Sequence, residues 1–282
     1  MIDINYMLDM IPEKDPHYFL HREVIDNLER FESLSKKHPV NVLVTGKQGC
    51  GKSSLVRQFA SRHGRPLAVF QVGILSEPGQ LFGELRLKDG ETYYQRFLFP
   101  QAITTPDCVV HLEEINRPEH PKALNMLFSV LSEDRQVWTD DIGLIRVANG
   151  VIFFATLNEG EEFTGTEMLD AALRDRFYVI SMDYLPPAIE ADVLQLKTGI
   201  SEAQAATIVN IVNKLRSNTQ MPLSVSTRHN LMIAELVAAG ASVREAIVYS
   251  LQMSKDLLES ILLAIHVEKG ESQVSGYGYE RY

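Results

Sequence analysis

An apolar run, Val40, Asn41, Val42, Leu43, Val44 and Thr45, passes without a break into Gly46, Lys47, Gln48, Gly49, Cys50, Gly51, Lys52, Ser53 and Ser54. A buried strand that turns through glycines into a helix gathers backbone N–H groups around one point, which is the geometry an anion requires. Gly46, Gly49 and Gly51 let that backbone curl tightly without Cβ collisions. Lys52 then supplies a cation for the β- and γ-phosphates of a nucleotide, and the Ser53 hydroxyl is suited to ligate Mg²⁺. Residues 46–54 are the expected nucleotide-binding segment.

The chain has 282 residues, room for one large domain with a smaller companion. Its 45% hydrophobic and 23% charged content suits a soluble globular protein. No apolar stretch approaches the roughly 18 residues that span a bilayer. Residues 1–5 lack the basic and apolar regions of a secretory signal. Two cysteines, Cys50 and Cys108, do not make a disulfide framework, so a reduced, cytoplasmic protein is expected. The net charge is −10, from 27 basic and 37 acidic side chains. That balance argues against a surface built for nucleic acid, where phosphate neutralisation dominates affinity, and favours a protein partner.

Strand-like and helical patterns alternate through the first two thirds of the chain. Strands are predicted over residues 40–45, 65–72, 108–112, 150–157 and 177–182, and helices over 21–37, 121–131 and 168–175. In the first helix Val24, Leu28, Phe31 and Leu34 share a face. Buried strands separated by helices indicate a parallel sheet covered on both sides. Two segments interrupt the alternation: residues 84–94 around an Asp-Gly turn, and 137–147 around Asp140, Asp141 and Gly143, each read as a β-hairpin. After Pro186 and Pro187 the pattern is helical alone, over 188–197, 201–217, 227–239 and 243–266, with Leu231, Ala234, Glu235 and Ala238 spaced as one packed face. The expected domains are 1–185, an α/β nucleotide-binding domain with an N-terminal loop and helix, then a helical lid at 186–269, then a flexible tail at 270–282.

Further chemistry sits at predicted strand ends. The apolar run Val109, Val110, His111, Leu112 ends in Glu113 and Glu114. Adjacent side chains at a strand end diverge, so the two carboxylates suit a division of labour. Glu113 is the candidate to hold Mg²⁺ through water, and Glu114 to polarise a water for attack on a γ-phosphate. Asn158 follows another apolar strand and is delivered to the edge of the sheet where α/β folds bind ligands. Arg174 and Arg176 flank Asp175 before the last strand, and Arg228 opens a lid helix; each can serve as an ion-pair partner or as a finger that neutralises transition-state charge. His17 and His21 have helical spacing but no accompanying ligand signature for zinc.

The ordered set Gly-Lys-Gln-Gly-Cys-Gly-Lys-Ser, Glu-Glu-Ile-Asn-Arg, Asn158, Leu-Arg-Asp-Arg-Phe and Ser-Thr-Arg-His resembles an AAA+ ATPase. It looks most like the MoxR branch and, within it, the CbbQ/NorQ subgroup, through Glu-Ile-Asn-Arg, Ala-Thr-Leu-Asn-Glu-Gly-Glu-Glu-Phe-Thr-Gly-Thr and Leu-Asp-Ala-Ala-Leu-Arg-Asp-Arg-Phe. The resemblance spans residues 20–265. It implies a P-loop AAA+ domain with a five-stranded parallel sheet and an all-α lid, assembled as a hexameric ring with ATP and Mg²⁺ between subunits. It also implies that the two hairpins face the ring's centre or one of its surfaces, which makes Tyr93, Tyr94, Phe97 and Trp138 candidates for gripping a partner. Most relatives carry Asp where this chain has Glu113, and the longer side chain bears on Mg²⁺ geometry and hydrolysis rate. Both Arg174 and Arg176 match arginines of the subgroup; Arg176 is the favoured finger.

The function implied is an ATP-driven ring that remodels or activates a client protein, or inserts its cofactor, together with a separate von Willebrand factor A domain partner. Two alternatives stand beside it: a McrB-like nucleic-acid-linked NTPase motor that prefers GTP, and a nucleotide-gated scaffold with little hydrolysis, to which only Glu113 points.

Overall fold

In the computed structural model, residues 10–77, 79–158, 169–217, 225–254, 256–259 and 278–282 are described. The chain begins with β1 (Phe19–His21), α1 (Arg22–Ser35), β2 (Val40–Gly46), α2 (Lys52–Arg62) and β3 (Leu67–Gln71). A hairpin of β4 (Gly83–Lys88) and β5 (Glu91–Arg96) leads to α3 (Leu98–Thr104) and β6 (Val109–Glu113). A 3₁₀ turn, Pro121–Leu124, and α4 (Asn125–Val130) precede a second hairpin, β7 (Gln136–Thr139) and β8 (Gly143–Arg146). Then come β9 (Ile152–Thr156), α5 (Ala171–Arg174) and β10 (Tyr178–Met182). Helices α6 (Pro187–Thr198), α7 (Glu202–Arg216), α8 (Thr227–Ala238) and α9 (Val243–Leu251) follow, and β11 (Tyr279–Arg281) is last.

Two units divide the chain. One comprises Met1–Asp15, Glu23–Gly46 and Lys52–Met182; the other comprises Pro16–Arg22, Lys47–Gly51 and Asp183–Tyr282.

The first unit is built on a parallel sheet of five strands in the order β10-β2-β9-β6-β3. The three inner strands, β2, β9 and β6, are buried along nearly their whole length because both faces are covered, whereas Tyr178 and Val179 of the edge strand β10 are exposed. On β9, Phe153 packs into the cluster containing Phe99, Ile103 and Leu127, while its neighbour Phe154 meets Phe59 of α2 at a ring distance of 4.9 Å. Helix α2 buries Lys52, Leu55, Val56, Phe59 and Ala60, one helical stripe. Truncating Phe154 to Ala would remove about 3–5 kcal/mol, the usual cost of an emptied aromatic site.

Polar groups inside this unit act as braces. The Arg65 guanidinium is buried and donates to the carbonyls of Gly150 at 2.6 Å and Asp107 at 3.1 Å, and to Ser35 Oγ at 2.9 Å; Glu32 neutralises it at 2.7 Å. That contact explains a departure from the expected face of α1: Ser35 is buried and Leu34 faces out. Asn41 of β2 donates from Nδ2 to the carbonyls of Leu131 and Arg176, both at 2.9 Å.

Both hairpins form. Asp89 (φ 52°) and Gly90 (φ 86°) make the first turn, with positive φ at both central positions as a two-residue hairpin requires. Helix α3 was not anticipated, because it is seven residues long and carries Pro100 in its first turn, where proline is tolerated but obscures the pattern. The predicted helix over 168–175 is present only as α5; residue 168 lies outside the described residues.

In the second unit three successive helices open with a serine capping box: Ser201 with Gln204, Ser226 with His229, and Ser242 with Glu245. Leu194, Ile208, Val212, Ile233, Val237 and Ile247 lie in its core. The packed face of α8 is Asn230, Ile233, Ala234 and Val237, not the one expected through Leu231, Glu235 and Ala238; spacings of three, four and seven from Asn230 define the buried stripe. The helical pattern expected over 243–266 is interrupted after Leu251, where Gln252 turns left-handed (φ 53°); residues 256–259 are helical again, and residues 255 and 260–266 lie outside the described residues.

Of the segment expected as a tail, residues 278–282 are described. Tyr279–Arg281 pair antiparallel with Phe19–His21, and Tyr282 is buried. Backbone pairing is joined by an Arg22–Glu280 ion pair at 3.0 Å and an edge-to-face contact of His21 with Tyr279 at 5.3 Å. His21 therefore sits in a strand, without the helical spacing its sequence separation from His17 suggested. Residues 270–277 lie outside the described residues. No helix among the described residues is long and apolar enough to cross a membrane.

Candidate functional site

In the first unit β2 ends at Gly46, β6 at Glu113 and β9 at Thr156, and their parallel register brings these ends to one edge of the sheet. Ligands of open α/β sheets bind at such carboxyl ends.

Glu113 receives the Ser53 hydroxyl on Oε1 at 2.5 Å and the Gln71 side-chain amide on Oε2. Gln71 faces Glu113 across the β3–β6 register, so sheet pairing supplies this second partner. The sequence reading missed Gln71, although its place at the end of a predicted strand was the available signal. Lys52, almost fully buried, donates from Nζ to the Gly46 carbonyl at 2.8 Å. Ser54 is exposed.

Glu114 adopts a left-handed conformation (φ 54°), and its carboxylate has partners other than those of Glu113. Such a conformation is uncommon for a residue with a Cβ, and it needs support from its surroundings. Asn158 Nδ2 donates to Glu114 Oε1 at 3.2 Å, and Arg117 lies 3.5 Å from Oε2. The Glu114 amide is directed at Thr156 Oγ1, 3.4 Å away, and Thr156 Oγ1 lies 3.2 Å from His111 Nε2. Asn116 Nδ2 reaches the Asn158 carbonyl at 3.4 Å. Burial pushes the His111 pKa down to about 4, against the pull of nearby Glu113, so the ring is neutral at ordinary pH. The structure thus joins Glu113 to Ser53 and Glu114 to Asn158, four of the residues anticipated from sequence.

The two arginines near α5 differ. Arg176 folds onto its own chain, donating to the Ala172 carbonyl and stacking over Phe128 at 5.1 Å. Arg174, in the last turn of α5, is exposed.

The second unit holds the middle of the phosphate loop. Gly49 (φ 68°) packs so closely on the start of α8 that a Cβ there would lie 2.5 Å from Ser226 Cβ and 3.8 Å from Arg228 Cβ. Arg228 is therefore beside the loop, and it is exposed. Burial first, then Arg228 and Arg216, lower the pKa of His229. Lys47 pairs with Asp183 at 2.9 Å, and Cys50 is buried. The Tyr184 hydroxyl donates to the Gln48 carbonyl at 3.2 Å and the Tyr18 hydroxyl to the Gly51 carbonyl at 3.0 Å. Neither tyrosine carries a motif, and nothing in the sequence marked them.

Chemically, the donor set fits a Mg-nucleotide. Ser53 and Glu113 are hard oxygen groups of the kind Mg²⁺ takes. The glycine-rich loop leads into the N-terminus of α2, the end of a helix that attracts anions.

Residues 41–177 match the family described as AAA domain (dynein-related subfamily), and residues 190–259 match CbbQ/NirQ/NorQ C-terminal. The chain is similar to BssE of Thauera aromatica, a candidate chaperone by its name, with 64% identity over 263 residues covering 93% of this chain and 92% of the relative. It is similar to the NorQ protein of Paracoccus denitrificans with 27% identity, covering 79% and 82%. In fold alone it is similar to a Thermotoga maritima RuvB mutant, at TM-score 0.58 and 17% identity over 91% of this chain and 74% of that one. Two family matches that run from the first sheet strand through the helical part, with a relative alike over nearly its whole length, lead to one assignment: the chain belongs to the AAA+ ATPases of the MoxR type, close to the CbbQ/NorQ proteins.

Proposed function

We propose that this chain hydrolyses ATP as one subunit of a ring, a hexamer by family resemblance, and uses the energy to remodel or activate a client protein. The observation that carries the reading is the pair of contacts at one sheet edge, Ser53 with Glu113 and Glu114 with Asn158. Loop amides and Lys52 bind the polyphosphate. Ser53 and Glu113 would hold Mg²⁺, which when bound supplies positive charge against the phosphates. Glu114 accepts the proton of the attacking water, and Arg117, 3.5 Å from its Oε2, helps to orient the carboxylate. Asn158 holds that carboxylate until a γ-phosphate or water competes for its amide. Arg228, beside Gly49 of the loop, is the proposed further phosphate contact, and Arg176, or else Arg174, the proposed finger toward the nucleotide of a neighbouring subunit.

The chaperone-like role draws on the name of the BssE relative and on the likeness to NorQ. Exposed apolar side chains on the two hairpins, Leu85, Leu87 and Tyr93 on the first and Trp138 (65% exposed) on the second, suit the gripping of a client. Tyr94 and Phe97 are half-buried and suit it less. A separate protein with a von Willebrand factor A domain is the proposed adaptor, and the cytoplasm the proposed compartment.

The test is ATP turnover over a protein-concentration series with light scattering on the same samples. Turnover per subunit that rises as rings form, and falls about 10²–10⁴-fold in Glu114→Gln, supports the reading. Monomers without turnover in Mg-ATP overturn it. Preference for GTP with stimulation by nucleic acid would replace it with the motor reading, and stable rings holding intact ATP with the scaffold.

A further inference from the structure

Two tyrosine hydroxyls grip the phosphate loop from outside, at Gln48 and at Gly51. In a planar trans peptide the carbonyl of one residue and the N–H of the next point in opposite directions. A hydroxyl that holds the Gln48 carbonyl therefore also directs the Gly49 N–H away from Tyr184. Likewise, Tyr18 at the Gly51 carbonyl directs the Lys52 N–H away from itself. These two amides belong to the glycine-rich turn and to the first residue of α2, the strand-to-helix turn that gathers N–H groups around an anion.

Both tyrosines are themselves held. The Tyr184 ring lies under the Arg216 guanidinium at 4.1 Å, with Lys47 Nζ 5.3 Å from its centroid. Arg216 is fixed in turn by fully buried Glu190, which it meets at 2.8 Å and 3.0 Å, and by the Val225 carbonyl at 2.7 Å. Glu190 Oε1 also accepts from Thr227 Oγ1 at 3.0 Å, one residue before Arg228. Tyr18 precedes β1, and its carbonyl accepts the Tyr282 amide at 2.8 Å as the β1–β11 pair closes. So buried ionic and backbone contacts, not the loop alone, set where each hydroxyl points.

We propose that Tyr18 and Tyr184 are positioning residues that aim the Lys52 and Gly49 amides at the nucleotide phosphates and thereby set polyphosphate affinity. The inference rests on the ATPase reading and deepens it. Each hydroxyl acts on binding before chemistry, so its loss raises KM more than it lowers kcat.

The experiment compares the full-length wild type with Tyr18→Phe, Tyr184→Phe and the double variant. Phenylalanine keeps each ring, and with it the Arg216 stacking, while removing only the hydroxyl. Each single variant is expected to melt at the wild-type temperature, to raise KM for Mg-ATP and Kd for ADP about 3- to 10-fold, and to change kcat less than about twofold, as the loss of one neutral hydrogen bond implies. Wild-type KM and Kd in both variants overturn the inference while leaving the ATPase reading intact. A fall in kcat at unchanged KM also overturns it. A wild-type protein that binds no ATP overturns both.

Discussion

Ser53 and Glu113, 60 residues apart in sequence, meet through a 2.5 Å hydrogen bond between hydroxyl and carboxylate. The glutamate at the end of β6 therefore reaches the end of the phosphate loop. Its other oxygen is held by Gln71, so both carboxylate oxygens have a side-chain partner. If this pair serves Mg²⁺, Glu113→Ala should weaken ATP binding about tenfold or more in millimolar Mg²⁺ and leave binding in chelator nearly unchanged. Calorimetric titration in the two buffers checks this; equal loss in both would assign Glu113 a purely structural role.

Arg176 lies over the Phe128 ring and donates to the Ala172 carbonyl, whereas Arg174 is exposed, so a finger role for Arg176 would require it to leave both contacts. With Arg176 as the finger, Arg176→Ala is expected to lower turnover about 10³-fold or more, and Arg176→Lys should not restore it, because a point charge lacks the planar fork. Doping the variant into wild-type rings should suppress turnover beyond simple dilution. The opposite ranking, with Arg174→Ala the more severe, would transfer the role.

Gly49 is constrained twice, by its positive φ of 68° and by the 2.5 Å that would separate an added methyl from Ser226 Cβ. Gly49→Ala should destabilise the protein by about 1–3 kcal/mol and weaken ATP affinity. Gly49→Ala with Ser226→Gly relieves the collision but not the φ strain, so denaturation of both variants separates the two contributions.

His111 is buried, and its folded pKa is lowered to about 4. The unfolded chain, with the ordinary value near 6.5, binds more protons between these pH values, so stability falls as pH drops below about 6.5 and the loss levels off below about 4. Between pH 7.5 and pH 5 the contribution is about 2 kcal/mol. Urea denaturation at the two pH values should show that loss in the wild type and a smaller one in His111→Gln. An equal loss in both would assign the acid sensitivity elsewhere.

The phosphate loop, the paired glutamates and the positions of the hydrophobic strands along the chain were legible because each is written in contiguous residues: glycines that permit a tight turn, and a strand long enough to be apolar on both faces. The hairpin at Asp89 and Gly90 was legible for the same reason. Helix α3 was not, since seven residues with a proline carry too little periodicity. The face of α1 was misread at Leu34 because burial of Ser35 depends on Arg65, 30 residues away.

The sequence by itself determined the chemistry available: a nucleotide-binding turn, two carboxylates at a strand end, an asparagine at another, and arginines at helix ends. Local dihedral preferences and hydrophobic periodicity are enough for that. Only the tertiary structure decided which groups meet. It set Gln71 beside Glu113, Asn158 against Glu114, Tyr18 and Tyr184 on the loop carbonyls, and residues 279–281 beside Phe19–His21. Those pairings follow from strand order and helix packing between distant segments, which no local pattern encodes.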